Sequence, residues 1–499
     1  MAAPNRRSFL QTSALGLGGL AFLDGLPAVT AADAKLDPKL VRLDPEIEPL
    51  VKLIEEREQD ELIEDVAARV KKGLPYRDVL AALLLAGVRN VAPRPSVGFK
   101  FHAVLVVNSA HLASLASPEK ERWLPIFWAL NYFKSAQAQN LKETGWRMGP
   151  VDESKVPAPH KARETLTAAM DNWDLEAADL AAAALARGCG MNEAFELFAK
   201  YGCRDFRDIG HKAIFVANAF RTLQCIGWQH AEPVLRSLAY ALLHHEGDNP
   251  AKRDGDPDRP GRKNAERARK IVAEWRDGKP SPEASGDVLA AVRTATDAEL
   301  SDKVVSLLNG GVSPRAVWDG LFVGAGELLM RQPGIVALHT LTTLNALHYA
   351  YETSSAGETR KMLLLQAAAF LPLFREAMKS RGKVADARID QLKPDEGDGH
   401  VEEVFSTLSR DKMTAAQLAL GILRADPSRA RQLIDAGRLL IFLKGTDSHD
   451  YKFSSAVMED YTFISPAWRD RFLAASVFWL KGSGGPDSPV VERTRAALA

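Results

Sequence analysis

A segment of this chain returns in its second half, and this repeat is the strongest constraint on the fold. Residues 61–245 correspond to residues 299–483, shifted by about 238 positions. Solenoid repeats have periods of roughly 20–50 residues, so a period this long predicts two copies of one lobe instead. The matched pairs include Glu61 with Glu299, Gly73 with Gly311, Arg77 with Arg315, Arg122 with Arg360, Leu180 with Leu418, His211 with His449, and Phe215 with Phe453.

The most specific match is a His-x5-Asn-x2-His motif that occurs once in each copy. Its two occurrences are offset by about 237 positions, so a one-residue difference in loop length separates them from the other matches. Both motifs lie in stretches that are apolar on nearly all sides, which predicts central helices rather than surface helices. The motif residues are His102, Asn108 and His111 in the first copy, and His339, Asn345 and His348 in the second.

Stretches rich in Ala and Leu, with few β-branched runs, predict helices throughout both copies. The expected fold is therefore all-α: an internally duplicated helical protein with two similar lobes related by a pseudo-twofold axis. The polar, Pro- and Gly-rich segment between the copies reads as a linker. The predicted divisions are an export signal (1–34), lobe 1 (58–246), a polar linker (247–295), lobe 2 (296–484) and a tail (485–499).

The first 34 residues have the layout of a twin-arginine export signal. Arg6 and Arg7 stand just before Phe9, and a mildly apolar run with a zone of small residues follows. Such a signal predicts a cleaved leader and a periplasmic or secreted protein. The alternative is an uncleaved membrane anchor, although the apolar run is short for a bilayer span. The mature chain contains no other candidate transmembrane segment.

Composition excludes several classes of function. The chain has 64 basic and 64 acidic residues and no aromatic-rich basic stretch, so no nucleic-acid partner is predicted. Its 3 cysteines allow one disulfide with a thiol left over, but not a four-cysteine zinc site. Metalloprotease, nucleophile-elbow, P-loop and dinucleotide-binding motifs are all missing.

Six of the 11 histidines stand at repeat-matched positions, and they are the predicted metal ligands. Buried imidazoles are costly unless each polar atom has a partner, so placing them in both copies indicates a shared polar centre. The alternative is a structural hydrogen-bond network in which the histidines act as internal struts. The six are His102, His111, His211, His339, His348 and His449.

More specific roles follow from the motif. We expect His111 and His348 to be catalytic, Asn108 and Asn345 to orient the cofactor site, and at least four of the six histidines to line one buried cavity between the lobes. At about 100° per residue, His102 and His111 lie on nearly opposite faces of one ideal helix. They can serve one ion only if the helix is kinked, and otherwise they serve different neighbours. The cofactor is open between a transition metal and a non-covalent haem.

Four segments resemble a helical domain found in bacterial Rieske-associated proteins and, more distantly, the questin oxidase-like family. The family's Phe-His-x-Leu segment departs here at Val104, whereas Leu338 begins a complete Leu-His-x-x-Thr-x-x-Asn-Ala-Leu segment. The resemblance implies an oxygen-dependent oxidoreductase for an aromatic or polyketide-like substrate. The chain lacks the Cys-His pairs of a Rieske cluster, so an electron partner would be a separate protein. The segments are Phe101–Leu112, Gly210–Leu223, Ile335–Tyr351 and Lys444–Phe453.

The sequence therefore predicts an exported, oxidoreductase-like protein with a buried histidine-rich site between duplicated lobes. That site would support metal-dependent oxidation of a small organic substrate. The alternative is a non-catalytic helical protein of the cell envelope that binds a ligand or partner, so enzymatic activity is an open question at this stage.

Overall fold

The protein is all-helical in its computed structural model, which describes residues 37, 39–93, 99–397 and 399–499. Within those ranges no β-strand forms, and one isolated bridge pairs Lys279 with Val312. The predicted all-α class is confirmed. The predicted export signal, residues 1–34, lies outside the described residues, so export stays a prediction.

The first half of the chain folds into helices whose apolar faces merge into one core. Several begin where the sequence supplies a start signal, such as the Asp174 side chain that accepts a hydrogen bond from the backbone of Ala177. The helices are α1 (Glu48–Glu56), α2 (Leu62–Lys71), α3 (Tyr76–Asn90), α4 (His102–Leu105), α5 (Val107–Ala116), α6 (Leu124–Glu143), α7 (Pro159–Asn172), α8 (Leu175–Gly188), α9 (Met191–Gly202), α10 (His211–Ile226) and α11 (Ala231–Leu242).

The second half follows with a similar series of helices. Thr296 begins one of them with a capping box, in which its side chain and that of Glu299 each satisfy a backbone N–H of the other residue. The helices are α12 (Arg259–Ala268), α13 (Pro282–Thr294), α14 (Asp297–Asn309), α15 (Pro314–Arg331), α16 (Ile335–Thr353), α17 (Gly357–Lys379), α18 (Val401–Leu408), α19 (Lys412–Ala425), α20 (Ala430–Lys444), α21 (Ser448–Phe463), α22 (Arg469–Ser476) and α23 (Pro489–Leu498).

The segments predicted as linker and tail contain packed helices. Residues 247–295 hold α12 and α13, and α13 packs along α15 of the second half. In the tail, α23 crosses back to pack on α2 and α6 of the first half. The three cysteines, all in the described part, are free thiols.

Four helices form the centre of the molecule. Helix α5 packs on α10, α10 on α16, α16 on α21, and α21 returns to α5, so the four close a ring with two members from each half. They are buried on almost every side, as their unbroken apolar composition predicted. No helix in the described ranges is both long enough and apolar enough to cross a membrane.

Arg221 on α10 and Glu459 on α21 are equivalent positions of the sequence repeat, and they contact each other. Their separation is 459 − 221 = 238 residues, and Nη2 of Arg221 lies 2.6 Å from Oε2 of Glu459. Equivalent points of two copies can touch only beside the axis that relates them. The pair therefore supports a pseudo-twofold arrangement, while the superposition of the two lobes stays a prediction.

Exchanging the two charges tests this arrangement. Either Arg221→Glu or Glu459→Arg alone should lower the unfolding free energy by about 2 kcal/mol, because each places like charges together in a partly buried site. The double exchange should restore most of the loss. Urea denaturation of the four proteins gives the coupling energy, and additive losses would contradict a specific pair at this position.

Candidate metal centre

Each half contributes two histidines to one cluster at the start of the central helices. His102 is the first residue of α4, whose hydrogen bonding continues through Val106 into α5. His211 is the first residue of α10, His339 lies one turn into α16, and His449 is the second residue of α21. The ring of helices thus brings four imidazoles together from four separate chain segments.

The four Nε2 atoms face one another. Nε2 of His102 lies 2.9 Å from that of His449 and 3.2 Å from that of His211, which lies 3.0 Å from that of His339. One ligand atom from each ring falls within 4.8 Å of all the others, and every ring is buried. A tetrahedral ion with metal–nitrogen bonds of about 2.0–2.1 Å separates its ligand atoms by roughly 3.4 Å, so one small ion fits.

The hydrogen bonds of the Nδ1 atoms fix which nitrogen carries the proton. Nδ1 of His211 lies 2.5 Å from the carbonyl oxygen of Asp208, and Nδ1 of His339 lies 2.7 Å from that of Ile335. A carbonyl oxygen only accepts, so both Nδ1 atoms must donate. In a neutral ring Nε2 then has no proton and presents a lone pair. His211 and His339 therefore point two lone pairs at each other across 3.0 Å.

Protonating a ring would relieve this contact, but burial opposes it. Desolvation lowers the pKa of His102, His211 and His339 well below the ordinary histidine value. The charge of nearby Lys452 lowers the pKa of all three further. The rings are therefore neutral at physiological pH, which is the form that binds a metal ion.

His449 has a carboxylate behind it. Its Nδ1 donates to Oδ1 of Asp447 at 2.5 Å, and the same carboxylate caps α21 by accepting from the backbone N–H of His449. Burial alone would raise the pKa of Asp447, but these bonds outweigh it and lower the pKa to about 2. A carboxylate behind a ligand histidine fixes the ring and makes its free nitrogen more basic, as in many metal sites.

A strained turn positions His211. Asp208, Ile209 and Gly210 have φ values of 54°, 45° and 82°, so three consecutive residues adopt the left-handed region. For Ile209, which is β-branched, this is unfavourable and persists only where the surroundings enforce it. The turn directs the carbonyl of Asp208 to Nδ1 of His211. Local backbone energy is thus spent on the orientation of one ring.

Gly210 is the tightest point of this turn, because a Cβ there would collide with the side chain of Thr343 on α16. Gly210→Ala should therefore lower the unfolding free energy by about 3 kcal/mol and weaken metal binding. Gly311→Ala is the matched control, since Gly311 has φ 80° but open space around it. It should cost only about 1 kcal/mol and leave metal binding unchanged. Equal losses in calorimetry would show that contact with Thr343 is unimportant.

The two histidines expected to be catalytic lie outside the four-histidine group. Nδ1 of His111 is 2.9 Å from the Tyr76 hydroxyl. His348 packs against Trp318, Phe322 and Phe463. The structure thus gathers four of the six predicted ligands and separates the other two. The reason is the helical geometry that places His111 on the opposite face from His102.

The two asparagines expected to orient the histidines lie beyond them, in a polar cleft. Asn108 donates to Asn218 at 3.4 Å, and Asn345 donates to Glu459 at 2.7 Å and to Asp460 at 2.8 Å. In these contacts they line the cleft and orient one another rather than the imidazole rings.

Lys452 was not singled out by the sequence. Its repeat-matched position in the first half is Ile214, so the search for matched polar residues passed over it. The usable signal was its spacing: Lys452 follows His449 by three positions and therefore shares its helix face.

No family model, curated protein or solved structure matches this chain. The site is therefore assigned from its own geometry, and the resemblance to the Rieske-associated helical domain stays an expectation.

Proposed function

We propose that this protein binds one transition-metal ion through the Nε2 atoms of His102, His211, His339 and His449, and that the ion serves the oxidation of an organic substrate. The contact between His211 and His339 carries the first part. Two neutral rings face each other at 3.0 Å with both Nδ1 atoms committed to carbonyl oxygens. A cation between them turns this repulsion into coordination.

The donor set narrows the choice of metal. Imidazole suits zinc, copper, iron and nickel, while the hard ions magnesium and calcium prefer oxygen ligands. A haem fits poorly, because two axial histidines must face each other across the porphyrin plane. Here all four ligand atoms lie within 4.8 Å, and the other two rings would occupy the place of the macrocycle.

Two observations favour a reactive ion over a purely structural one. A polar cleft lined by Lys452, Asn108 and Asn345 begins one turn from the histidines and gives a ligand a place beside the ion. The resemblance to oxygen-dependent oxidoreductases points to the same chemistry. The electrons would pass to dioxygen or to a separate electron-transfer protein. Export by the twin-arginine route, which carries folded proteins, would agree with loading of the metal before export.

A structural zinc ion is the second candidate function. Four protein ligands complete a tetrahedral shell, which is typical of structural zinc sites. The protein would then be a ligand- or partner-binding protein of the cell envelope, with the ion joining its two halves.

Metal analysis with absorption and electron paramagnetic resonance spectra separates these functions. We expect about one copper or iron ion per chain, reduced and reoxidised reversibly. His339→Ala should lose the metal, while His348→Ala, a buried histidine on the same helix, should keep it. Zinc alone would favour the structural role, and an intact protein without metal under metal-replete conditions would refute both.

A further inference from the structure

The four central helices run in the same direction away from the histidine cluster, and they enclose a cleft. Each contributes its histidine first and its cleft residues one to three turns later: Asn108 in α5, Asn218 in α10, Asn345 in α16 and Ser455 in α21. The cleft is narrow, and most of these side chains can donate a hydrogen bond. Such a lining suits a ligand with acceptor atoms.

Lys452 lies at the histidine end of this cleft and is the group that most needs a ligand. Its side chain is fully buried, and Nζ has no hydrogen-bond partner within the described part of the chain. Burial lowers the pKa of Lys452 to about 7, even though the charge of Asp447 opposes the shift. A buried ammonium without a partner is costly, so a bound anion would compensate it.

The neighbouring acids leave this positive charge uncompensated. Glu459 is paired with Arg221, and Asp450 is paired with Lys481 at 2.9 Å. Asp447 donates no charge to the cleft directly, since it is bonded to the far side of the His449 ring.

The helix ends add to the same field. Helices α4, α10 and α21 start at the histidines, and each N-terminus carries a partial positive charge of about one half. A divalent ion on four neutral rings adds two more charges. The region between the metal and the cleft is therefore strongly positive and calls for an anion.

We propose that the cleft binds the carboxylate of a small organic acid, held by Lys452 Nζ and the asparagine and serine side chains, beside the metal ion. The proposal deepens the proposed function, on which it rests for the ion, by naming the substrate class. A planar, singly charged carboxylate matches one ammonium and a narrow cleft. A phosphate would bring two charges and a larger, tetrahedral head.

Calorimetric titration of the metal-loaded protein with acetate tests the proposal, with acetamide as the neutral probe of the same shape. Acetate should bind and acetamide should not. Lys452→Met should weaken acetate binding at least 10-fold while metal content stays at the wild-type level. Lys481→Met is the matched control, because it removes the same charge outside the cleft and should bind acetate normally.

Metal content measured on the same samples separates the two proposals. Loss of metal in the wild-type protein would count against the proposed function. Full metal content with no acetate binding, equal binding by Lys452→Met, or tighter binding of phosphate than acetate would overturn the carboxylate site. Lys452→Gln, which keeps a donor of similar length, provides the reading if the methionine variant fails to fold, and it should also lose at least 10-fold.

Discussion

Removal of the metal with a chelator is expected to lower the unfolding free energy by about 4 kcal/mol, if free metal is initially held near 1,000 times its dissociation constant. The ion binds four side chains from both halves, and the unfolded chain holds no such arrangement. At the entropy of unfolding typical for this length, the melting temperature should fall by roughly 4 °C. The drop should grow with the concentration of metal present before chelation, as mass action requires.

The control for this experiment is a protein that cannot bind the ion. His339→Ala should already melt low, and added metal or chelator should leave its melting temperature unchanged. His348→Ala should respond to chelator like the wild type. An unaltered wild-type melting curve, with metal removal verified by elemental analysis, would show that the ion does not join the two halves.

Below pH 6.5 the metal-free protein should lose stability steeply. The folded-state pKa values of His102, His211 and His339 lie well below the ordinary value, chiefly because the rings are buried. The unfolded chain therefore takes up protons near pH 6.5, while these rings in the folded chain stay neutral. Stability thus rises with pH through this window and falls as the pH decreases, by about 1.4 kcal/mol per ring and pH unit.

Replacing one ring measures its share of this slope. The unfolding free energy of His339→Gln, determined in urea at pH 5 and pH 6, should change with pH about 1.4 kcal/mol per unit less than that of the wild type. Gly311→Ala, which is destabilised without losing a titrating ring, should keep the wild-type slope. A wild-type slope in His339→Gln would mean that this ring is protonated in the folded protein as readily as in the unfolded chain.

Much of the fold was accessible from the sequence because local rules fix it. Ala- and Leu-rich stretches without β-branched runs form helices whatever their partners, and the all-apolar character of Ile335–Thr353 placed α16 in the centre. The cost of burying imidazoles made the repeat-matched histidines candidates for one polar centre. Four of them, two from each half, meet there.

Only the tertiary structure decided which histidines meet. Helical periodicity separates His102 from His111, but which ring finds the partners depends on how α5 and α10 lie against α16 and α21. The left-handed turn before His211 and the role of Lys452 depend on contacts between residues more than 100 positions apart, such as Gly210 with Thr343. The sequence by itself determined what had to be buried together. The crossing of helices from two halves decided the ligand set, because a side chain's partner is set by packing and not by its neighbours along the chain.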